Sequence, residues 1–592
     1  MRRRTLPPPI AAALSLVLAA AAFAAVGGPP ATAADTGPAA FQPQLVRVAT
    51  PEVADLATLE RLGLDRTEHS GRTTSEVLLH TAAERTALRS SGLTWTVLVD
   101  DLVRREAANA AADAAYAAST ARSALPSGRT AYRTLSDYET EMAAMATEHP
   151  GLVRLRTLPF TTLDGHEVHG LEIGTDVGRP ASGRPTFVMV GLHHAREWPS
   201  AEHTMEFAID LVDGFGTDRR ITALLGRARV VVVPIVNVDG FDLSRTSGGI
   251  VDLNILNPLD PTGALLPTLA TAATPGLAYL RKNCRIVDGV DTPDGTCGLQ
   301  LSSPAGFSLG VDLNRNYGMW WGGPGAAHQA PDAEDATAGF ADPRYQGAAA
   351  FSEPETQNVR SVVLSRAVTG LITNHTSGNL VLRPWASAPD NVTSTGTTVG
   401  VPRDEAALKR LGDLFATQNG YTSQPSYALY DGVGTTEDWA YAATGTFGYT
   451  FEIGPSEFHP PFEDVVDQYV GAGEHAGQGN RSAYLLALEH AVRARAHSVL
   501  TGRAPGGATL RITRDASTPT WDGEAPGMFA AAIRVPDSGR FTWHVNPSTR
   551  PTSARPERYR LTCTVGGDVL QSVPVLVRRG QVLRVDLGDC RG

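Results

Sequence analysis

Two stretches, Phe187–Leu192 (FVMVGL) and Val230–Val236 (VVVVPIV), carry no charged side chain and are dense in β-branched residues. A strand with one face in water alternates polar and apolar positions; these do not, so both of their faces must be covered. That requirement points to the interior of a largely parallel or mixed sheet with helices on both faces. Helical patterns stand between and around such runs, for example Ser136–His149 and Ala201–Val212. Pro199 falls in the first turn of the second helix, where a missing N–H costs nothing. Leu371–Thr373 and Tyr449–Phe451 read as further strands, and Ala483–Leu500 as the last long helix. Residues 130–502 are therefore expected to form one α/β domain on a mixed, mostly parallel sheet.

The flanks read differently. Residues 1–34 place three arginines before an Ala-rich apolar run and end on small residues. This is the order of a secretory leader cleaved near Ala34, and the run is short for a membrane span. Residues 35–103 alternate short strand and helix signals and predict a small α+β unit, followed by an Ala-rich stretch over 104–129 with helical character, which reads as a linker. After the Pro/Gly break at 502–507 only short strands separated by turn residues remain, so 503–592 predicts a β-sandwich. The formal charge of -11 offers no basic face for nucleic acid. Four cysteines in an exported chain suggest disulfides, and proximity favours Cys284–Cys297 and Cys563–Cys590.

The chemistry concentrates at Gly191-Leu192-His193-His194-Ala195-Arg196-Glu197-Trp198. A buried strand ends there, and His194 and Glu197 follow at HxxE spacing. Ligand sites in such sheets lie outside the carboxyl ends of the strands. A catalytic zinc usually takes three protein ligands plus water, so a third is expected from another strand end. His375 fits, because Leu371–Asn374 runs into it as an apolar strand.

HAREW resembles the zinc signature of the metallocarboxypeptidases typified by pancreatic carboxypeptidases A and B. The likeness continues through Asn237-Val238-Asp239-Gly240, Gly310–Tyr317 (GVDLNRNY), the segment opened by His375, Tyr430 before Gly432 and Gly434, and Thr450-Phe451-Glu452. It covers about residues 130–500. The resemblance implies one zinc per chain on His194, Glu197 and His375, with Asp312 fixing the tautomer of His194. It implies that Glu452 is the general base, and that Asn314 and Arg315 grip the terminal carboxylate of a peptide or protein substrate. Tyr430 would close over the bound residue, and Arg196 would touch substrate further from the scissile bond. Glu437 falls at the pocket floor, where an acid selects C-terminal Lys or Arg, with Ala386 on another wall and Arg383 near enough to neutralise the acid.

There are departures. The family's oxyanion arginine follows an Arg-Lys pair; a strict count from Arg281-Lys282 lands on Cys284, and a one-residue bulge would bring in Arg285 instead. Ser377 replaces a tyrosine beside the third ligand, and residues 241–309 are longer than is usual in the family. The N-terminal unit is similar to the family's prodomain in position and element order only. Trp521 and Trp543 leave open a carbohydrate or cell-wall contact for the C-terminal domain. The expected function is a secreted zinc carboxypeptidase. A zinc amidase acting on cell-wall peptides, or a non-catalytic secreted binding protein of the same fold, are the alternatives.

Overall fold

The computed structural model describes residues 41–71, 73–178, 182–246, 276–285, 310–327 and 342–590. The leader expected at 1–34 and Cys297 lie outside these residues. The N-terminal unit is a four-stranded antiparallel sheet of β1 (Gln44–Ala49), β2 (Asp65–Arg66), β3 (Thr74–Leu79) and β4 (Trp95–Val99), in the order β2-β3-β1-β4. Helices Val53–Arg61 and Ala82–Ser90 complete it, the second started by a Thr81/Glu84 capping box. Val46, Val48, Leu59, Leu64, Val77, Leu79 and Leu88 form a small core of its own. The Ala-rich stretch read as a linker is a helix, Leu102–Ser119. Its Asp113 accepts from Phe462 N (2.7 Å) and its Asn109 donates to His459 O (3.2 Å), so it lies docked on the α/β domain.

The central sheet has eight strands: β5 (Val153–Thr157), β6 (His169–Ile173), β7 (Thr186–Gly191), β8 (Arg229–Val233), β9 (Val368–His375), β10 (Leu380–Arg383), β11 (Thr422–Pro425) and β12 (Phe447–Glu452). Their order is β11-β10-β12-β9-β7-β8-β6-β5. The middle run β12-β9-β7-β8 is parallel throughout. Every residue of β7 and β9 is buried, as their unalternating sequence requires. Asn374 shows one covered face, held by Thr204 of helix Trp198–Gly214 and Tyr484 of helix Asn480–Ala491. On the opposite face Gly448, register partner of Leu371, lies against Glu437 of helix Thr436–Thr444; a Cβ there would meet Glu437 Cα at 3.0 Å. The fold is thus α/β, with a mixed sheet sandwiched by helices.

The last helix stops at Ala491, short of the Leu500 expected from its pattern. Ser498–Arg503 is instead β13, parallel to β21 (Val582–Asp586) and antiparallel to β18 (Arg540–Val545). Val499 and Leu500 fit a strand as readily as a helix, and pairing with β18 and β21 decides between them. The second C-terminal sheet joins β14 (Thr509–Asp515), β17 (Met528–Arg534), β19 (Tyr559–Val565) and β20 (Asp568–Val575), and a short hairpin pairs β15 (Thr518–Pro519) with β16 (Glu524–Ala525). Cys563 and Cys590 form a disulfide. One hydrophobic core runs without a break from the central sheet into these strands.

Candidate metal centre and substrate cleft

His375 and Glu452 end neighbouring parallel strands and face each other in register, and Gly191 pairs with Asn374 one strand further on. The chain leaves β7 through Leu192, whose φ of 55° is in the left-handed region. Such a conformation costs a bulky residue on the order of 1–3 kcal/mol. It turns His193 and His194 back over the strand ends. Asn237 fixes this turn from the side: its Nδ2 donates to His193 O (3.1 Å) and Lys282 O (3.2 Å), and its Oδ1 accepts from Gly240 N. A Cβ at position 240 would lie 2.6 Å from Asn237 Oδ1, which requires the glycine of this NVDG segment.

His194, Glu197 and His375 are buried and offer three ligand atoms within 4.8 Å of one another. His194 Nδ1 lies 2.7 Å from Glu197 Oε1 and 3.3 Å from His375 Nδ1. His375 Nδ1 stands 2.9 Å from Glu197 Oε2, yet that oxygen makes no hydrogen bond. Two imidazole nitrogens face to face, with a buried carboxylate oxygen left unsatisfied between them, are poorly served by protons. They fit a cation: a tetrahedral zinc with Zn–N near 2.0–2.1 Å holds its ligand atoms about 3.3 Å apart. His194 Nε2 faces Asp312 Oδ1 at 3.0 Å, which leaves Nδ1 as the free ligand atom. Burial alone would raise the Asp312 pKa, but the charges of Arg281 and His194 outweigh it and hold the carboxyl well below its usual range. Asp312 therefore stays ionised.

Glu452 is buried beside this set, and its Oε2 has no partner. Burial first, then the negative charges of Glu68 and Glu197, push its pKa well above the carboxylate range. Arg315 is also buried, and its hydrogen-bond partners are two carbonyls, Gly325 O (3.2 Å) and Asn314 O (2.8 Å). Its guanidinium lies 5.9 Å from the Tyr430 ring. Asn314 Oδ1 accepts from both the N–H and the hydroxyl of Thr436 at 3.0 Å, which fixes the amide. Glu437 is buried with Oε1 on Ser426 Oγ (3.0 Å) and Oε2 unpartnered. Arg383 does not neutralise it, because Arg383 pairs with Glu405 at 2.8 Å.

Arg285 does not join this group. Its guanidinium is held by Glu353 at 2.7 Å and Ser352 O, and no bulge turns it toward the metal ligands. The arginine that sequence counting passed over is Arg281. It binds Asp312 Oδ2 through Nε (3.1 Å) and Nη2 (3.0 Å), while its Nη1 has no hydrogen-bond partner. The Arg-Lys pair was the visible signal, but nothing in one dimension shows that Arg281 turns toward the cleft and Arg285 away from it.

The N-terminal unit enters the same cleft. Asp65 forms a buried ion pair with Arg196, whose guanidinium also stacks on Phe458 at 4.0 Å. Glu68 lies 3.5 Å from Arg281 Nη1 and accepts from Tyr430 OH at 3.4 Å, and Arg66 covers the Tyr430 ring at 5.2 Å. Of the two tryptophans singled out for a carbohydrate contact, Trp543 is buried and Trp521 lies against Gly322 and Gly323, so packing accounts for both.

Three side chains able to ligate a metal gather at the carboxyl edge of a mixed α/β sheet beside the Glu452 carboxylate, an arrangement consistent with a single-metal site. The family model for zinc carboxypeptidases matches residues 138–470, more than half of the chain, and the chain belongs to that family. It is 26% identical over 332 residues to carboxypeptidase B of Bos taurus, covering 54% of this chain and 63% of the relative. It is also 26% identical over 338 residues to a zinc carboxypeptidase of Saccharothrix mutabilis subsp. capreolus, covering 57% and 65%. The chain thus spans under two thirds of the length of these relatives. Its fold is similar to that of a carboxypeptidase A from Helicoverpa armigera, with a TM-score of 0.57 and 18% identity over 77% of this chain and 98% of the other.

Proposed function

We propose that the protein is a secreted zinc metallocarboxypeptidase that hydrolyses the C-terminal peptide bond of peptides. One observation carries the reading: the His194/Glu197/His375 set shares its cleft with a buried guanidinium, Arg315, whose hydrogen bonds among the described residues go to two carbonyls. Asp312 and Asp438 act on this guanidinium only from a distance, with no direct ion pair among the described residues, so an arriving anion finds donors to bind. A terminal carboxylate satisfies a guanidinium with two parallel hydrogen bonds. Zinc on the three ligands would polarise the scissile carbonyl and acidify a water. Glu452, with a free oxygen beside the ligands, would accept a proton from the attacking water and return it to the leaving amine, once a cation on the ligands and the departure of Glu68 lower its raised pKa. Asp312 keeps His194 in one tautomer. Arg281, rather than Arg285, is the arginine whose Nη1, opposite Glu68 while the N-terminal unit is docked, would serve the developing oxyanion once that unit leaves. Export is supported by the Cys563–Cys590 disulfide, since such bonds persist in oxidising compartments.

The test is a hydrolysis profile on blocked dipeptides, as free acids and as C-terminal amides, with and without a chelator. The expected result is one zinc per chain, activity abolished by chelation, and cleavage of acids over amides. An amidase of another specificity would cleave both. Glu437, whose Oε2 has no partner among the described residues, supports a preference for C-terminal Arg or Lys over Phe. A hydrogen bond to a charged group supports discrimination of about 1.5–3 kcal/mol, roughly tenfold to a hundredfold. Glu437→Ile should remove it, and an unchanged Arg/Phe ratio of kcat/KM would assign specificity elsewhere.

The reading extends to the N-terminal unit, which blocks the cleft through Asp65 and Glu68 while it stays docked. Leaving Arg196 buried without its partner costs on the order of 3–5 kcal/mol. The unprocessed Asp65→Ala/Glu68→Ala chain should therefore turn over substrate faster than the unprocessed wild type, by at least tenfold, and limited proteolysis of the wild type should raise its activity in the same way. Equal rates before and after proteolysis would show that the unit does not inhibit.

A further inference from the structure

We infer that the C-terminal domain positions the carboxylate-binding side of the cleft through the β15–β16 hairpin, with Trp521 as its positioning residue. The inference rests on the reading of Arg315 as the carboxylate clamp. The hairpin loop reaches two segments of the catalytic domain that have little regular structure of their own. Trp320 N donates to Pro519 O and Trp521 N donates to Trp321 O, both at 2.8 Å. On the other side, Ser394 donates to Trp521 O through its backbone N (3.1 Å) and its hydroxyl (2.8 Å). The backbone of one residue thus ties residues 320–321 to Ser394.

Both segments lead to the clamp. Four residues past Trp321, Gly325 supplies the carbonyl that receives Arg315 Nε. Just before it, Met319 O accepts from Gly434 N (2.8 Å) and Tyr317 N donates to Gly434 O (3.0 Å), in the loop that carries Tyr430. In the Ser394 segment, Ala388 N and Asn391 Nδ2 both donate to Asp431 Oδ1, at 2.7 and 3.0 Å, next to Tyr430. The approach is close enough to demand glycine at two places. A Cβ at 318 would lie 2.7 Å from Thr518 Oγ1, and one at 323 would lie 2.4 Å from Trp521 Cε3. A loop whose N–H and C=O groups are satisfied by another domain takes its conformation from that domain. Arg315 and Tyr430 are therefore aimed in part by residues more than eighty positions away in sequence.

The inference predicts a specific kinetic signature. In the full chain, under conditions where the wild type is active, Trp521→Ala should raise KM for free-carboxylate dipeptides about tenfold and leave kcat within about threefold, as expected when shared ground- and transition-state binding is weakened. The preference for acids over amides should shrink in parallel, and Trp521→Phe should restore most of both. A merely stabilising tryptophan would lower the melting temperature and the active fraction and leave KM where it was. Gly323→Ala, which displaces the indole from the other side, should raise KM in the same way and decides the matter if Trp521→Ala does not fold. Wild-type KM in both folded variants would overturn the inference. A wild type that does not prefer acids to amides would instead overturn the clamp reading itself.

Discussion

The Glu452→Gln protein should bind zinc as the wild type does and lose between about a hundredfold and ten-thousandfold of its turnover, the range that a positioned general base supplies. Glutamine keeps the shape of the side chain at the end of β12, and the three zinc ligands are untouched. What it loses is the ability to accept a proton from water. The unpartnered Oε2 makes the substitution a clean one, because no hydrogen bond within the protein depends on that oxygen. Metal content and kcat are to be measured on the same preparation. Full zinc with a tenth or more of wild-type turnover would remove Glu452 from the role of base, and loss of zinc would mean that the variant tests the ligand set instead.

Arg315→Ala should cost on the order of 2–5 kcal/mol in kcat/KM on free-carboxylate substrates, the penalty for truncating one side of a buried charge pair. The same change should do little to amidated peptides, so the acid/amide ratio of the variant falls toward one. The size of the effect reflects the surroundings of the guanidinium, which is buried and whose hydrogen bonds among the described residues go to the carbonyls of Gly325 and Asn314. Arg315→Lys should recover only part of the loss, since an ammonium cannot form the two parallel bonds. Equal loss on acids and amides would mean that Arg315 holds the loop rather than the substrate.

The elements were legible where periodicity was strong. The unalternating runs at 187–192 and 230–236 hold buried strands of the central sheet, although the second strand ends at Val233 and Pro234–Val236 lie beyond it, and Leu371–Thr373 and Tyr449–Phe451 are the hearts of β9 and β12. Pattern failed at a chain segment whose state depends on a distant partner. Ser498–Leu500 is a strand because β18 and β21 lie alongside; the Ala-rich stretch after residue 101 has a helical pattern of its own, and what tertiary structure adds is its docking on His459 and Phe462.

The sequence alone determined the candidate ligand types and their places along the chain. HxxE after one apolar strand, histidine at the end of another and glutamate at the end of a third are local features, and strand ends in a parallel sheet gather at one edge. The tertiary structure alone decided the directions of charged side chains. It turned Arg281 toward the cleft and Asp312, and Arg285 away from it to the buried Glu353, paired Arg383 with Glu405 so that Glu437 keeps only Ser426 on its carboxylate among the described residues, and set Asp65 and Glu68 against Arg196, Arg281 and Tyr430. The physical reason is that burial of apolar side chains is non-directional and leaves a periodic trace in sequence, whereas an ion pair forms with whichever charge the completed fold brings within a few ångströms.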